Sequence, residues 1–396
     1  MTILSLVLLA VCLVPLGYLA LQALAAMRPA PPVALDRAPS HRFVIAIPAH
    51  DEGAVIEETV RRLLALDYPR DLFSVHIVAD HCTDDTASLA RVAGAVVHER
   101  QEGPRSGKGA ALSWLLGRVL DDRCDAVVIF DADTQVDAQF LRVMDTRLAA
   151  GDQVVQGRHV ISNPEAGWYP ALMWAMFMVD NRFQNLGRVN LGCSAKHMGD
   201  SICFRAGVLR RVGWGEGLTE DFQLRQRLLL EGIRIGYEPA AVGRGEAALT
   251  WAQAQAQRKR WLRGTHDSSQ RFARRLLAEG LRRWDGALID GALQAYLPSY
   301  STLTMICGAA VVAQVGVNWV AGPVFPWAAV GGWIAALAAL FVYPLIGLAL
   351  ERAPLRAYVV ILSGPLFILW RTWLALVARV GGRPVVWVRT AHGKQR

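Results

Sequence analysis

Charge is scarce in this sequence of 396 residues, and its absence is concentrated in two places. Charged residues make up 19% of the chain, against about 25% in an average soluble domain, while 53% of the residues are hydrophobic. These proportions exclude an intrinsically disordered chain and argue against a wholly soluble one. No charged residue occurs in residues 1–27 or 291–350, and each stretch exceeds the roughly 20 apolar residues that span a bilayer. The composition predicts a membrane-anchored protein with one large water-soluble domain between these stretches.

Lysine is also nearly missing, since only Lys108, Lys196, Lys259 and Lys394 occur and arginine supplies most of the net charge of +8. A basic chain favours anionic partners such as lipid headgroups, phosphates and nucleic acids. The bases cluster in residues 258–283, directly before the second uncharged stretch, so membrane lipid and a diphosphate explain them better than nucleic acid does. We therefore expect no nucleic-acid partner.

The six cysteines include no C-x-x-C pair. This spacing supports neither a zinc ribbon nor a disulfide framework. A reducing compartment therefore fits the soluble domain best.

Residues 1–28 are predicted to form an N-terminal transmembrane helix. No positive charge precedes the apolar run, which argues against a cleaved signal peptide. Arg28, Arg37 and Arg42 follow it, and the positive-inside rule then places the next domain in the cytosol.

Residues 286–396 are predicted to form a C-terminal membrane domain. Two spans fit in residues 291–350, with a turn near Gly322 between them. The next apolar run, 357–370, has only 14 residues before Arg371 and contains a Gly-Pro pair. We favour a re-entrant or interfacial segment there, and a third C-terminal span that buries Arg371 is the alternative.

Residues 41–285 are predicted to form a cytosolic α/β domain with interfacial helices at its end. Apolar, β-branched runs alternate with helical patterns, which implies βαβ units and a mostly parallel sheet flanked by helices. The predicted strands are 43–48, 73–80, 95–98, 126–131 and 154–158. The predicted helices between them are 55–66 and 108–119, with others that begin near 84 and 137. Ligands of such sheets bind at the carboxyl ends of the strands.

Asp131 and Asp133 end the most apolar of these strands in a D-x-D pattern. Alternate residues of an extended chain share one side, so both carboxylates can face one cation. Such oxygen ligands suit Mg²⁺ or Mn²⁺, which would neutralise a diphosphate. A solvated turn, in which Asp is common, is the alternative.

Two more polar residues stand where a nucleotide would bind. Asp80 ends the second predicted strand and could accept a hydrogen bond from a nucleobase or a ribose, or it could cap the helix that begins near Asp84. Lys108 lies in a glycine-rich basic loop, 103–109, which lacks the Ser or Thr of a P-loop. Helix N-termini favour anions, so Lys108 could bind a phosphate. The alternative is that Lys108 is only a solvated surface residue.

Thr219, Glu220 and Asp221 precede a predicted helix, 222–231. In the structural interpretation, these acids only cap the helix, since the helix dipole favours negative charge at a helix start. In the functional interpretation, one carboxylate is a general base that removes a hydroxyl proton.

Gln257 and Trp261 lie four residues apart and therefore on one helix face. They begin a basic stretch with nine Arg or Lys residues in 258–283, which an interfacial helix attracted by anionic lipid would explain. In the other interpretation, the indole offers a flat surface to a sugar ring and an arginine of this stretch pairs with a diphosphate.

These residues occur in the order of the D, D-x-D, T/E-E-D and Q-x-x-R-W motifs. The chain thereby resembles the membrane-bound, processive-type glycosyltransferases of family 2, which include cellulose, chitin-oligosaccharide, poly-N-acetylglucosamine and hyaluronan synthases. Residues 47–52 resemble the opening Pro-x-x-Asn-Glu element of this family, with Asp51 where Asn is usual. Residues 191–195 resemble its Gly/Ser segment, which lines the donor sugar and the acceptor. The resemblance covers about residues 43–264.

The resemblance implies a GT-A fold, a UDP-sugar donor, and Mg²⁺ or Mn²⁺ as cofactor. It implies that Asp221 is the catalytic base with Glu220 beside it, and that Asp133, with Asp131, holds the metal. The implied donor-binding residues are Pro48, Glu52, Asp80, Lys108, Asp131 and Arg260. The implied acceptor-binding residues are Gln257, Trp261 and Ser194.

The implied function is an inverting transfer from a UDP-sugar to a growing glycan or oligosaccharide, at the cytosolic face of a bacterial-type inner membrane. Such an enzyme would serve exopolysaccharide or cell-surface glycan synthesis. A single-step transfer to a lipid-linked, polyprenyl-type acceptor is the alternative. The synthases named above use more membrane helices to build an export channel, so a polymer product would here require a homo-oligomer or an export partner. A nucleotide-sugar-binding scaffold without activity would be favoured by loss of Asp133 or Asp221, and both are present.

Overall fold

The computed structural model describes residues 2–121, 123–215 and 217–380, the last six of these by their backbone only. The strands are β1 Phe43–Ala49, β2 Phe73–Asp80, β3 Val96–Arg100, β4 Ala126–Ile129, β5 Gln135–Val136, β6 Val154–Ile161, β7 Ile202–Arg205 and β8 Ile235–Gly245. The helices of the sheet-bearing part are α2 Ile56–Leu64, α3 Thr86–Val92, α4 Lys108–Val119, α5 Phe140–Ala149, α6 Trp168–Val179, α7 Arg188–Asn190, α8 Ala206–Val212, α9 Glu220–Leu230, α10 Trp251–Arg283 and α11 Gly286–Tyr296. Those at the two ends are α1 Thr2–Ala25, α12 Tyr300–Ala321, α13 Trp327–Leu350, α14 Leu355–Ile361 and α15 Gly364–Val380.

The eight strands form one sheet with the order β3-β2-β1-β4-β7-β6-β8-β5. β1 is parallel to β2 and β4, and β2 is parallel to β3, as the alternation of strands and helices predicted. β7 is antiparallel to both of its neighbours, β4 and β6. The predicted α/β fold is therefore confirmed, but the sheet is mixed because β7 returns between β4 and β6 in the opposite direction.

The side chains of β1 explain why helices cover both faces of the sheet. Phe43 and Ile45 belong to the core that α2 and α5 complete, whereas Val44 and Ala46 belong to the core that α4, α8 and α9 complete. Successive side chains of a strand point to opposite faces, and a strand buried on both faces is apolar throughout. Polar side chains are therefore confined to the ends of the strands, where they can meet.

Two predicted boundaries move for local reasons. β4 ends at Ile129 rather than at Asp131, and the backbone N–H of Thr134 donates to the carbonyl oxygen of Asp131 at 3.1 Å, which closes a turn. α3 begins at Thr86 because the Asp84 carboxylate accepts the backbone N–H of Thr86 at 3.0 Å. The D-x-D residues thus project from a turn and not from the extended chain that was predicted.

α1, α12 and α13 are long and apolar enough to cross a membrane. α14 and α15 meet at a bend of 43°, which fits either a broken span or a re-entrant loop, so both interpretations of residues 357–370 stay open. α11 falls at the start of the predicted C-terminal membrane domain but packs against the preceding helices. Its Leu288 shares a core with Leu229 of α9 and Leu276 of α10.

Candidate active site

One cavity lies at the carboxyl ends of β1, β2 and β4, where the polar residues were predicted to meet. The predicted site residues that line it are Pro48, Glu52, Asp80, Lys108, Asp131, Asp133, Gln257, Arg260 and Trp261. Glu220, Asp221 and Ser194 are not among the lining residues. The fold thus gathers the D, D-x-D and Q-x-x-R-W residues around one space, although they lie far apart in the chain.

Asp80 ends β2 with its side chain almost fully buried. The guanidinium of Arg100, at the end of β3, donates to Asp80 Oδ1 at 2.5 Å, and His81 Nδ1 lies 2.9 Å from the same atom. Since Asp84 holds the start of α3, Asp80 is not needed as a cap. A carboxylate fixed in this way suits recognition of a hydrogen-bond donor such as a nucleobase N–H. Arg100 was not predicted.

Lys108 begins α4, and its ammonium group is held by two acceptors. It donates to Asp131 Oδ1 and, at 2.6 Å, to the carbonyl oxygen of Gly199. Burial lowers the pKa of Lys108, but the carboxylates of Asp131 and Glu220 outweigh burial and raise that pKa above its ordinary value. Lys108 therefore keeps its positive charge at neutral pH, which favours an anionic group in the cavity.

The D-x-D residues supply the oxygen ligands that the predicted cation would need. Asp133 Oδ2 accepts the backbone N–H of Glu246 at 3.2 Å, which fixes this carboxylate at the cavity wall. Carboxylates suit Mg²⁺ or Mn²⁺, so Asp131 and Asp133 fit the predicted cofactor. In the described part of the chain, His50, Asp51 and Cys82 form a separate group whose ligand atoms lie within 4.8 Å of one another. Its imidazole and thiol are softer ligands than Mg²⁺ prefers.

The two acids of the T-E-D motif begin α9. Burial raises the pKa of both Glu220 and Asp221, and the charge on Asp221 raises that of Glu220 further. Lys108 and Arg260 lower the pKa of both carboxyl groups but do not cancel the effect of burial. A carboxylate with a raised pKa is a stronger base than an exposed one, as general base catalysis requires.

Asp221 lies next to the loop that binds Lys108. A methyl group added at Gly199 would lie 3.4 Å from Asp221 Oδ2, and the carbonyl of the same Gly199 accepts from Lys108. The backbone N–H of Phe222 donates to Asp221 Oδ1 at 2.7 Å and fixes the carboxylate. Gly199 and Lys108 therefore connect the T-E-D motif to Asp131 of the D-x-D motif.

α10 carries Gln257, Arg260 and Trp261 to the cavity. Gln257 and Trp261 share the helix face that lines it, as their spacing predicted. α10 lies close to the start of α9 at Gly264. A methyl group added at Gly264 would lie 2.6 Å from Thr219 Oγ1. A residue without a side chain is required there, so the T-E-D and Q-x-x-R-W motifs are held against each other.

Ser194 does not line the cavity, and the acceptor-binding role that the resemblance implied for it stays a prediction. Its side chain is fully buried. The hydroxyl accepts the backbone N–H of Ile235 at 3.0 Å and donates to the carbonyl of Ala195 at 3.2 Å. Ser194 thus ties its loop to β8 and has a structural role.

His159 and Asp200 line the cavity but were not predicted. His159 Nδ1 lies 2.7 Å from Asp200 Oδ1, and Asp200 Oδ2 accepts from the hydroxyl of Thr134 at 2.8 Å. Burial lowers the pKa of His159, but Asp200 outweighs burial and raises it. His159 stands near the carboxyl end of β6, so the rule for ligand sites in such sheets would have found it. Asp200 lies in the loop before β7 and gave no such signal.

One wall of the cavity is apolar. It is formed by Ile161, Met173, Phe177 and Ala247, together with Trp261. Met173 and Phe177 belong to α6, which packs against α13 and α14. The apolar wall therefore adjoins helices that are apolar enough to enter a membrane.

Comparison with known proteins places this site in a family. The sequence model described as "Glycosyltransferase like family 2" matches residues 39–264. A β-monoglucosyldiacylglycerol synthase of Synechocystis sp. is 29% identical over 262 residues, which are 63% of this chain and 54% of that protein. One of Nostoc sp. is 30% identical over 232 residues, which are 56% of this chain and 48% of that protein. The chain thus spans about half the length of these curated relatives.

A solved structure shares the fold. The mannosyltransferase of Pyrobaculum calidifontis, in complex with GDP-Man and Mn²⁺, has a TM-score of 0.59 at 19% identity, over 88% of this chain and 97% of that chain. This likeness supports the GT-A fold, a mixed sheet flanked by helices. The family model covers more than half of the chain, including the whole of the cavity described above, and the chain therefore belongs to the family 2 glycosyltransferases.

Proposed function

We propose that the protein transfers a sugar from a UDP-sugar, with inversion, to a hydroxyl group of an acceptor lipid at the membrane surface. The shape and chemistry of the cavity carry this proposal. Its charged part, around Asp80, Lys108 and Asp131, suits a nucleoside diphosphate, and its apolar wall adjoins the candidate membrane helices. An apolar wall in that place suits an acceptor that enters from a bilayer.

The names of the relatives support the same proposal. β-Monoglucosyldiacylglycerol synthases are named for a glucosylated diacylglycerol, so we take glucose as the sugar and a diacylglycerol-type hydroxyl as the acceptor. The sequence alone favoured a growing glycan, with a lipid-linked, polyprenyl-type acceptor as the alternative, and did not suggest diacylglycerol. The apolar wall and the names of the relatives support a diacylglycerol-type acceptor instead.

In the proposed reaction, Asp221 removes the proton of the acceptor hydroxyl as the oxygen attacks the anomeric carbon. The bond between that carbon and the β-phosphate oxygen of UDP breaks on the opposite face, which inverts the configuration. Lys108 and Arg260 stabilise the negative charge that develops on the leaving diphosphate. Asp131 and Asp133 would hold Mg²⁺ or Mn²⁺, which supplies further positive charge at the diphosphate. Asp80 would bind the uracil.

A donor and acceptor panel tests the proposal. Membranes containing the protein are incubated with labelled UDP-glucose, UDP-galactose or UDP-N-acetylglucosamine, each with added diacylglycerol, polyprenyl phosphate or an oligosaccharide. Thin-layer chromatography then separates labelled lipid from polymer. We expect label from UDP-glucose in a single-sugar lipid, and none in the Asp221→Asn variant. Labelled polymer without labelled lipid would contradict the lipid acceptor.

A growing glycan is the second candidate acceptor, in line with the processive-type synthases that the motifs resemble. The observation that favours it is Trp261, whose ring lines the cavity within the Q-x-x-R-W motif and could stack on a sugar. It would require partners or further copies of the chain to form an export path. A product with more than one added sugar would favour this candidate.

A further inference from the structure

A group of aromatic rings lies where α6, α10 and α15 meet, beside the apolar wall of the cavity. The centroid of the Phe367 ring lies 5.4 Å from that of Trp370 and 6.3 Å from that of Tyr169. The guanidinium carbon of Arg258 lies 5.1 Å from the Phe367 centroid and 4.9 Å from that of Trp261. The arginine–aromatic cluster is defined here as Tyr169, Arg258, Phe367, Trp370 and Arg371.

The cluster holds two positive charges without a carboxylate of its own. Arg258 is only 8% exposed, and its one hydrogen-bonded neighbour among the described residues is the thioether of Met173, at 3.1 Å. Arg371 donates to the hydroxyl of Ser301 at 2.8 Å and is near enough to Arg258 for their charges to repel. The acid that acts on Arg371 is Asp180, which already pairs with Lys196 at 3.1 Å. Buried charges of one sign are costly unless an opposite charge joins them.

The same cluster contains buried hydrogen-bond donors that lack acceptors. Within the described residues, Arg258 Nε, Trp370 Nε1 and the Tyr169 hydroxyl are buried and have no hydrogen-bond partner. Buried polar groups in folded proteins almost always have one. An arginine Nε and an indole nitrogen can only donate. A hydrogen-bond acceptor would satisfy these donors, and the charges of the two arginines favour an anionic acceptor.

We infer that the arginine–aromatic cluster binds the phosphate group of an anionic membrane lipid. Phosphate oxygens are acceptors that match guanidinium and indole donors. The cluster shares Met173 and Trp261 with the acceptor side of the cavity through the contacts of Arg258. A lipid bound there would border the place where the acceptor enters.

The surroundings of the cluster favour a lipid phosphate over a free one. α15 exposes Leu366, Leu369 and Trp373 to 66%, 54% and 54%, next to the buried Phe367 and the partly buried Trp370. Exposed apolar side chains on a helix of this kind match acyl chains, and tryptophan is enriched at membrane interfaces. The phosphate would then lie at headgroup depth, with its acyl chains along α15.

Native mass spectrometry of the full chain in a neutral detergent tests this inference. The probes are phosphatidylglycerol in mixed micelles, diacylglycerol as the same lipid without the phosphate, and inorganic phosphate as the same anion without the lipid. We expect phosphatidylglycerol to bind and Arg371→Gln to weaken that binding, and we expect no binding of inorganic phosphate. Diacylglycerol can occupy the proposed acceptor site, so any diacylglycerol binding should be unchanged in Arg371→Gln. No UDP-sugar is present, so the result does not depend on the proposed function. Only the placement of the lipid beside the acceptor rests on that function.

Variants of the two arginines and of one donor locate the site. Arg258→Gln and Arg371→Gln should each weaken phosphatidylglycerol binding at least about tenfold, since each change removes charge-assisted hydrogen bonds to the phosphate. Trp370→Phe removes the indole N–H, keeps an aromatic ring and should weaken binding several-fold. Arg275→Gln is the matched control, because Arg275 is an exposed residue of the same α10 and lies outside the cluster.

Equal loss of binding in Arg275→Gln and Arg258→Gln would show general attraction between basic surface and anionic lipid, and would overturn the inference. Inorganic phosphate that binds at millimolar concentration and displaces phosphatidylglycerol would make the site one for free phosphate. If Arg258→Gln does not fold, Trp370→Phe and Arg371→Gln decide alone. Lipid binding that is intact in both of them would also refute the site.

Discussion

Asp221→Asn should abolish sugar transfer while it leaves the fold and the donor site in place. Asparagine keeps a side-chain oxygen that can accept the backbone N–H of Phe222, which donates to Asp221 at 2.7 Å. It has no basic oxygen to take the acceptor proton. A positioned general base contributes about 10²–10⁴-fold to the rate, so the turnover number should fall by at least two orders of magnitude.

The affinity for UDP should not fall with the rate. Asp221 is a negative charge that acts on Lys108 and Arg260, the two bases proposed to bind the diphosphate. Its neutralisation leaves those bases free to attract UDP, so the dissociation constant measured by calorimetry should stay the same or decrease. The rate of the wild-type protein should also rise with pH as Asp221 loses its proton. That rise should occur above the ordinary range of aspartate, since burial raises the pKa of Asp221.

Glu220→Gln is the matched control, because it neutralises the adjacent carboxylate of the same helix start. It should cost less activity than Asp221→Asn and should keep the pH dependence of the rate. Turnover of Asp221→Asn within threefold of the wild type would refute the role of Asp221. A larger loss in Glu220→Gln than in Asp221→Asn would assign the base to Glu220 instead.

Four further outcomes are expected. Burial raises the pKa of Glu220 from 4.5 to about 7. The folded state therefore favours the neutral acid, and the protein loses stability as the pH rises through that range. Glu220→Gln should have a higher melting temperature than the wild type at pH 8 and a similar one at pH 4. Asp133→Ala should lose activity that Mg²⁺ or Mn²⁺ supports, and full activity in excess chelator would contradict a metal there. Trp261→Ala should raise the KM for the acceptor about two- to twelvefold, which corresponds to the roughly 0.5–1.5 kcal/mol typical of aromatic contacts, and should leave UDP binding unchanged; an unchanged KM would make Trp261 an interfacial anchor. Ser194→Ala should lower the melting temperature, since it removes the acceptor of the Ile235 N–H, but should not change the KM for the acceptor.

The donor side of the site could be predicted from the sequence because its residues stand at the ends of strands. Asp80 and Asp131 interrupt long apolar runs at the point where β2 and β4 leave the core. Parallel neighbours bring such positions to one edge of the sheet, so the prediction needed only the correct strands. His159 follows the same rule at the end of β6 and was missed because no motif drew attention to it.

Residues that act through tertiary contacts could not be predicted from the sequence. Arg100 became a partner of Asp80 only because β3 pairs in register with β2, and Asp200 reached His159 through a loop. Ser194 was predicted to bind the acceptor but does not line the cavity. Its segment resembles one that lines a sugar, but the hydroxyl turns inward to satisfy a backbone N–H of β8. A buried donor must be paired, and that requirement decided the orientation of this side chain.

The apolar wall of the cavity illustrates why the sequence favoured a glycan acceptor and why we propose a lipid acceptor. Aspartates and lysines stand out in an apolar chain, but Ile161, Met173 and Phe177 are the residues expected in any protein core. Only the fold distinguishes a core position from a cavity wall, since β6 and α6 place these side chains at the open space next to Trp261. An aromatic ring beside charged residues suggests a sugar when it is seen alone. The same ring at the edge of an apolar wall, which adjoins α13 and α14 through α6, would instead guide the hydroxyl of a lipid toward the donor.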